Sequence, residues 1–129
     1  MKRFTLLLFF TLALVSLAQA QRPKAEIKFE KTVHDFGKFT EKNSIVTCTF
    51  SFTNVGDAPL VITQCVPSCG CTVPTYTEKP IAPGKSGTIK VTYNGKGQTY
   101  GQFKKIITVM TNAKNKLTRL CIQGEMTEK

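Results

Sequence analysis

The sequence predicts an all-β fold, a single antiparallel β-sandwich, and three observations predict it. Apolar and polar residues alternate in several short segments, turn-forming residues separate these segments, and no stretch after residue 20 has a sustained helical period. About seven short strands within about 100 residues are typical of an immunoglobulin-like sandwich, which we favour over a closed barrel.

The first 20 residues have the three parts of a secretory signal peptide. Lys2 and Arg3 are cationic, an apolar run fills residues 4–17, and the small residues Ala18 and Ala20 mark a cleavage site. The apolar run is shorter than the roughly 20 residues that a bilayer span needs, which favours a cleaved signal over an uncleaved anchor. No cysteine stands at position 21, so we expect an exported protein of the periplasm or cell surface that is not a lipoprotein and has no transmembrane span after cleavage.

The 109 residues after the signal peptide are enough for one hydrophobic core without additional cross-links. We expect residues 21–33 to form a leader and a first strand, and residues 34–125 to form the immunoglobulin-like domain. Residues 126–129 are expected to form a tail.

The mature chain is basic. Loss of Lys2 and Arg3 lowers the formal net charge from +10 to +8. Lysines on strand faces contribute solubility, and they could also attract anionic lipid head groups or acidic glycans. Nucleic-acid binding is not expected, because Phe50, Phe52 and Phe103 are predicted core residues rather than exposed stacking groups.

The segment 45–53 has the clearest strand pattern. Its apolar residues alternate with hydroxyl-bearing ones, and they are Val46, Cys48, Phe50 and Phe52. A helix would scatter these four side chains around its circumference, whereas a strand places them on one face. We therefore expect this segment to contribute one face to the core.

Six further segments have a similar pattern. They are residues 26–30, a short piece at 33–39, and residues 60–66, 88–93, 102–111 and 117–125. Glycine, proline and asparagine at residues 54–59, 80–84, 94–97 and 112–116 predict the turns. Pro67 is expected to end its strand, and a loop is predicted from there to Pro80.

Seven short motifs follow one another along the chain after residue 33. They are His34-Asp35-Phe36-Gly37, residues 50–56 (Phe-Ser-Phe-Thr-Asn-Val-Gly), 59–62 (Pro-Leu-Val-Ile), Ser68-Cys69-Gly70-Cys71-Thr72, 80–84 (Pro-Ile-Ala-Pro-Gly), 101–109 (Gly-Gln-Phe-Lys-Lys-Ile-Ile-Thr-Val) and 120–124 (Leu-Cys-Ile-Gln-Gly). Together they resemble a widespread bacterial family of exported immunoglobulin-like domains labelled domain of unknown function 1573, which is similar to the Hydin-type immunoglobulin-like domains. The resemblance implies a β-sandwich and export, and it implies no reaction.

Three cysteines depart from the family pattern. Cys65 stands where the family tends to have an aliphatic residue, and Cys48 and Cys121 lie outside the Cys-Gly-Cys motif. A disulfide inferred from the family therefore concerns Cys69 and Cys71 alone.

The Cys69-Gly70-Cys71 segment is the one chemically suggestive feature, and the residues allow three interpretations. The first is a structural disulfide within Cys65, Cys69 and Cys71, or from one of them to a distant thiol. The second is thiol–disulfide exchange through a small, strained ring between Cys69 and Cys71. The third is a metal site, in which the three sulfurs hold a soft ion such as Cu(I). Gly70 is expected to allow the tight turn that points both sulfurs one way.

The other two cysteines and the single histidine have simpler interpretations. Cys48 is in phase with apolar residues, so we expect it to be buried and to be the unpaired thiol. Cys121 is out of phase with its apolar neighbours, so it is expected to face away from the core, where it would be exposed, bridged or used between chains. His34 is expected to make a turn or strand-edge hydrogen bond.

The sequence predicts no catalytic residues and no cofactor. No serine lies in a nucleophile-elbow motif, the acidic residues are few and scattered, and no phosphate-binding loop is present. Asp35-Phe36-Gly37 lacks the other kinase motifs, so we expect Phe36 to anchor the core and Gly37 to form a bend.

We therefore expect a non-catalytic structural or protein-interaction module of the cell envelope, whose partner is another envelope protein. The alternative is a thiol-redox or copper-handling protein that uses the Cys-Gly-Cys segment.

Overall fold

The computed structural model of the protein describes residues 22–129. These residues form eight strands and one short 3-10 helix, Glu41–Asn43. The strands are β1 (Ile27–Phe29), β2 (Val33–Thr40), β3 (Ile45–Asn54), β4 (Ile62–Pro67), β5 (Thr72–Tyr76), β6 (Ser86–Asn94), β7 (Gly101–Thr111) and β8 (Leu117–Thr127). The predicted signal peptide lies outside the described residues. Within them, no helix has the length and apolar character to cross a membrane.

The strands form two four-stranded sheets that pack as a sandwich. The first sheet has the order β1-β3-β6-β5 and the second has the order β2-β8-β7-β4. This is the order of a constant-type immunoglobulin domain whose first strand is divided between the two sheets. The predicted all-β, immunoglobulin-like sandwich is confirmed.

One strand was not predicted. β5 occupies part of the segment expected to be a loop, and it pairs with β6 from Thr72 opposite Tyr93 to Tyr76 opposite Ile89. Pro74 lies within it, and a proline argues against a central strand because it has no N–H to donate. β5 is an edge strand, where one side of the backbone needs no partner in the sheet.

One strand pair is not antiparallel, which corrects the expected topology. β2 runs parallel to β8, with Val33 opposite Cys121 and Thr40 opposite Thr127. The register shifts between Asp35 and Lys38, where Gly37 adopts a positive φ of 69°. The Asp35 carboxylate accepts a 2.7 Å hydrogen bond from the Gly37 N–H, so the predicted bend at Gly37 is present as a β-bulge.

The inner faces of both sheets form the core, and the predicted alternation is confirmed there. The fully buried apolar residues include Phe52, Leu60, Ile89, Val91, Ile107, Val109, Leu120 and Ile122. Phe36 and Phe103 are half-buried against this core, and the Phe103 ring stacks on Tyr93 with centroids 4.1 Å apart. His34 lies beside Phe36, with ring centroids 4.7 Å apart.

The sandwich includes residues on both sides of the segment 34–125 that was assigned to it from the sequence. β1 pairs with β3, and β8 continues through Thr127, so Met126 is a buried residue rather than part of a tail. Short strands at the ends of a chain have weak periodic signals, because two or three residues hardly define a period.

A buried asparagine holds the turn that follows β3. Asn54 is completely buried, and its side chain accepts hydrogen bonds from the N–H groups of Glu26 and Gly56. Its amide nitrogen donates to the carbonyl oxygens of Ala58 and Ile81. All four polar positions of this side chain are therefore satisfied, which is the condition under which an asparagine can be buried.

Candidate functional site

The Cys-Gly-Cys segment lies in the connection between β4 and β5, where the chain crosses from the edge of the second sheet to the edge of the first. On the β4 side, Ser68 donates its N–H to the Ile106 carbonyl at 2.9 Å, and the Ile106 N–H donates to the Ser68 hydroxyl at 3.1 Å. On the β5 side, the Cys71 carbonyl accepts the Asn94 N–H at 2.8 Å. Both ends of the segment are thus held by the sheets.

Cys69 and Cys71 form a disulfide, with their Cα atoms 5.2 Å apart. Of the three thiols considered from the sequence, these two are the pair. The bond adds little to stability, because closing so short a loop restricts the unfolded chain by only about 1.6 kcal/mol, against about 3 kcal/mol for a loop of about 15 residues. The bond is therefore a weaker cross-link than one that closes a long loop.

The two sulfurs of the disulfide are in different surroundings. Cys69 is half-buried beside the exposed Gly70, whereas Cys71 is only 9% exposed. The Cys71 N–H donates a 3.2 Å hydrogen bond to the Cys69 sulfur, and the Cys71 sulfur lies 3.7 Å from the Thr72 hydroxyl. Cys69 packs partly against the core, and as a residue it is less buried than Cys71.

Gly70 does not have the role expected of it. Its φ is not positive, and a Cβ atom built on it would meet no atom within 4 Å. The tight turn instead depends on the hydrogen bond from the Thr72 N–H to the Cys69 carbonyl, at 3.1 Å.

Cys65 is not joined to the pair. It lies on β4 opposite Val109, half-buried against the core, as a free thiol. Burial raises the pKa of the Cys65 thiol to about 11. Across residues 22–129, no group of three or more histidine, cysteine, aspartate or glutamate side chains is placed to hold a metal ion, so the set of Cys65, Cys69 and Cys71 proposed as copper ligands is not assembled.

The two remaining cysteines are both buried free thiols. Cys48 is 6% exposed and faces the core, as predicted, and burial raises the pKa of its thiol to about 11. Cys121 faces away from the core, as expected, but it is 6% exposed and free, so the expectation of an exposed or bridged cysteine is wrong. It lies in a central strand, flanked by Val33 on one side and Ile106 on the other, and these neighbours leave it little contact with solvent.

A second surface feature was missed from the sequence. The outer side of the second sheet carries exposed apolar residues from all four of its strands, which we call the apolar face: Val33, Val66, Ile106, Met110 and Leu117. Four of these are 38–50% exposed, and Ile106 is half-buried between them. Apolar residues in both phases of β7 and β8, at Ile106-Ile107 and at residues 120–122, were the signal that could have indicated it.

The sheet register shows how the apolar face is arranged. Met110 lies opposite Leu117, Thr108 lies opposite both Arg119 and Val66, and Ile106 lies opposite Cys121. The apolar residues therefore surround Arg119 and Thr108. The two ion pairs among the described residues, Lys38–Glu125 and Lys114–Glu26, do not involve Arg119.

The outer side of the first sheet has more hydroxyl groups. Thr47 and Thr92 lie opposite each other with hydroxyl oxygens 3.3 Å apart, and Thr53 and Ser86 make a similar pair at 3.1 Å. Exposed apolar residues also occur there, at Ile45 and Val73, but they come from two strands, whereas those of the apolar face come from all four strands of their sheet.

A shallow groove of about 460 Å³ lies at the bulge of β2. Hydrogen bonds from the Gly37 N–H and from the Gln123 side chain lower the pKa of Asp35, which borders it. A carboxylate held ionised in this way stabilises the bulge and is a weak general base.

The family of the chain follows from a comparison with family models. The model described as Protein of unknown function (DUF1573) matches residues 27–126, nearly all of the described chain. A comparison with curated proteins finds no match.

Three solved structures share the fold at low sequence identity. A protein of unknown function from Porphyromonas gingivalis W83 has a TM-score of 0.70 at 17% identity, over 78% of this chain and 46% of that one. The VesB protease of Vibrio cholerae has a TM-score of 0.58 at 15% identity, and the match covers 92% of this chain and 35% of the VesB chain. The ASH / PapD-like domain 7 of human CEP192 has a TM-score of 0.61 at 10% identity, and the match covers 86% of this chain and 92% of that domain's chain.

These likenesses are of fold alone, and this chain spans less than half the length of the Porphyromonas chain and about a third of the VesB chain. The sandwich, its motifs and the family match agree with one another. The chain belongs to the family described as Protein of unknown function (DUF1573).

Proposed function

We propose that the protein is a non-catalytic interaction module of the cell envelope that binds another exported protein through the apolar face. The observation that carries this proposal is the gathering of Val33, Val66, Met110 and Leu117 on one sheet surface, each 38–50% exposed. Contiguous exposed apolar residues on a soluble domain mark interaction surfaces, whereas scattered ones need no explanation.

The charge of this surface indicates the chemistry of the partner. Arg119 lies among the apolar residues without a carboxylate partner in the described chain, and Lys104 lies two residues from Ile106 on the same side of β7. A partner that presents apolar side chains around a carboxylate would cover the face and pair with Arg119. The basic mature chain would also speed the approach of an acidic partner.

Export supports the same role, and it is part of the proposal. The residues that precede the sandwich carry the pattern of a signal peptide, and a fold that commonly serves recognition has no catalytic constellation in its described part. A partner reached after export would be another protein of the envelope.

Site-specific photocrosslinking in the producing cells tests the proposal. A photoreactive residue at Met110 is expected to give one adduct with an acidic exported protein, identified by mass spectrometry. The same residue at Thr49, exposed on the outer side of the first sheet, is the matched control and is expected to give none.

The charge of the partner is tested in the same system. Arg119→Glu should abolish the Met110 adduct, whereas Arg119→Lys should retain it. No adduct from Met110, or equal adducts from Met110 and Thr49, would refute the proposal. An adduct with a second copy of the chain would show that the apolar face mediates self-association instead of binding another exported protein.

A further inference from the structure

We propose that the Cys69–Cys71 disulfide is an exchangeable bond that oxidises a pair of thiols in another polypeptide. This is an activity beyond binding. Only the placement of the substrate polypeptide rests on the proposed function; the chemistry of the pair does not. The geometry that supports it is a bridged pair in the connection between the two sheets, in which Cys69 is half-buried beside the exposed Gly70 and Cys71 is buried.

The exposure of the two sulfurs decides which one is attacked. Cys69 is half-buried and packs against the edge of the core cluster beside the exposed Gly70, whereas Cys71 is buried within that cluster. An incoming thiolate must approach along the S–S axis, and the accessible end of that axis is Cys69. The buried Cys71 is then the leaving group.

The exchange proceeds in two balanced steps. In the first, a substrate thiolate attacks the Cys69 sulfur, a substrate–Cys69 disulfide forms, the Cys69–Cys71 bond breaks, and Cys71 leaves as a thiolate that takes up a proton. In the second, the other substrate thiolate attacks the substrate sulfur of this mixed disulfide, which forms the substrate disulfide and releases the Cys69 thiolate. The substrate loses two electrons and the pair gains them. A further round requires an external disulfide, such as glutathione disulfide, to reoxidise the pair.

A hydrogen bond in the structure favours the second step. The Cys71 N–H lies 3.2 Å from the Cys69 sulfur and donates to it. An N–H donor stabilises a thiolate, and a stabilised thiolate leaves faster. Cys69 is therefore suited to be released from a mixed disulfide, whereas its choice as the attacked sulfur in the first step rests on its greater exposure and not on the leaving group.

The rest of the molecule protects the pair from competing reactions. Cys48, Cys65 and Cys121 are buried or half-buried free thiols, and burial raises the pKa of the first two to about 11, so they are protonated at neutral pH. A protonated thiol does not attack a disulfide. Hydrogen bonds at Ser68 and at the Cys71 carbonyl hold both ends of the segment, so the two sulfurs stay close after reduction.

The position of the pair identifies a polypeptide as the substrate. Ser68, the residue before Cys69, is hydrogen-bonded in both directions to Ile106 of the apolar face. A chain bound along the apolar face would therefore pass beside Cys69. A cysteine pair flanked by apolar residues is the substrate class that this arrangement favours.

The first test uses the folded wild-type protein in buffers of reduced and oxidised glutathione. Thiol alkylation followed by mass spectrometry should show Cys69 and Cys71 reduced together at millimolar reduced glutathione, with the circular dichroism unchanged. A pair that stays oxidised until the protein unfolds would overturn the proposal. This arm needs no variant and does not involve the apolar face.

The second test compares how readily each of the two sulfurs, as a free thiol, exchanges with an external disulfide. With glutathione disulfide as the probe, Cys71→Ser should trap glutathione on Cys69 at least about 10-fold faster than Cys69→Ser traps it on Cys71, because the exposed sulfur reacts faster. Cys121→Ser, which changes a buried free thiol, is the matched control and should exchange like the wild type. Equal or reversed trapping would overturn the assignment.

The third test measures turnover. A reduced fluorogenic peptide with two cysteines flanked by apolar residues should be oxidised faster by the wild type with glutathione disulfide than by glutathione disulfide alone. Cys69→Ser and Cys71→Ser should both lose this acceleration. If the pair exchanges with glutathione in the first test but does not accelerate oxidation of the peptide in this one, the claim that its substrate is a polypeptide would be overturned.

Discussion

The Asn54 side chain donates a 2.8 Å hydrogen bond to the Ala58 carbonyl oxygen, across the turn that leaves β3. The same side chain bonds to backbone groups of Glu26, Gly56 and Ile81. One buried amide therefore ties together the start of β1, the turn after β3 and the segment before β6. Few side chains in the described chain connect so many separate segments.

Replacing Asn54 with alanine should destabilise the sandwich strongly. The change leaves buried N–H and carbonyl groups without partners, so we expect Asn54→Ala to lower the free energy of unfolding by about 3 kcal/mol. Chemical denaturation measures this loss of unfolding free energy. Asn112 makes a similar pair of bonds, to Val61 and Pro59, but at the surface, so Asn112→Ala should cost about 1 kcal/mol or less. Similar costs for the two variants would contradict this account.

A glycine in β6 is expected to be equally sensitive. Gly87 lies opposite Phe52 in the register, and a Cβ atom at residue 87 would overlap the Phe52 ring and the Ile81 side chain. Gly87→Ala should therefore lower the free energy of unfolding by about 2 kcal/mol through overpacking. The Cβ atom added by Gly70→Ala meets no atom within 4 Å, so this change should leave both the stability and the Cys69–Cys71 bond intact. Thermal melts and non-reducing mass spectrometry would show the contrast, and a stable Gly87→Ala protein would refute it.

The buried thiols should make the protein less stable in alkali. Burial raises the pKa of Cys48 and of Cys65 from 9.0 to about 11 in the folded state. Because the folded state favours the protonated thiols, their contribution is fully present below pH 9 and is lost as the pH rises towards 11.

Denaturation midpoints measured from pH 8 to 11 check this effect. Cys65→Val should reduce the slope of the midpoint against pH, because one of the two thiols no longer titrates. Thr49→Val, an exposed change without a titrating group, should leave the slope as in the wild type. An unchanged slope in Cys65→Val would exclude this thiol as a cause.

Export and cleavage are tested on the protein recovered from the envelope fraction of producing cells. We expect the intact mass of a chain that begins at Gln21, because the small residues at 18 and 20 direct cleavage after Ala20. Ala18→Asp should block cleavage and leave the protein membrane-associated. A mature chain that retains residue 2, or that stays in the cytoplasm, would contradict the signal-peptide interpretation.

Most of the fold was predictable because the strands of this domain are buried on one side. In β3 and β6 every second residue faces the core, and an alternation of that kind is visible without any knowledge of the partner strand. β5 was missed because its five residues contain a proline and because an edge strand needs less apolar character. The parallel pairing of β2 with β8 depends on which sheet the chain enters after β1, and no local pattern records that choice.

The site was predictable only in part. The Cys-Gly-Cys motif marked the segment but left the pairing open among Cys65, Cys69, Cys71 and a distant thiol. That Cys69 pairs with Cys71 and Cys65 stays free depends on the path of the β4–β5 connection between the two sheets. The apolar face was missed because its residues come from four strands, and each one alone looks like an ordinary exposed apolar residue.

By itself, the sequence determined the class of fold, the position of most strands and the residues that fill the core, because the alternation of side chains along a strand is a local property. The tertiary structure alone decided which strands are neighbours, that Cys121 is buried, that the two outer surfaces differ, and that Cys69 is half-buried while Cys71 is buried. These features arise where residues distant in the chain meet, and the energy of such contacts is not recorded in any one segment.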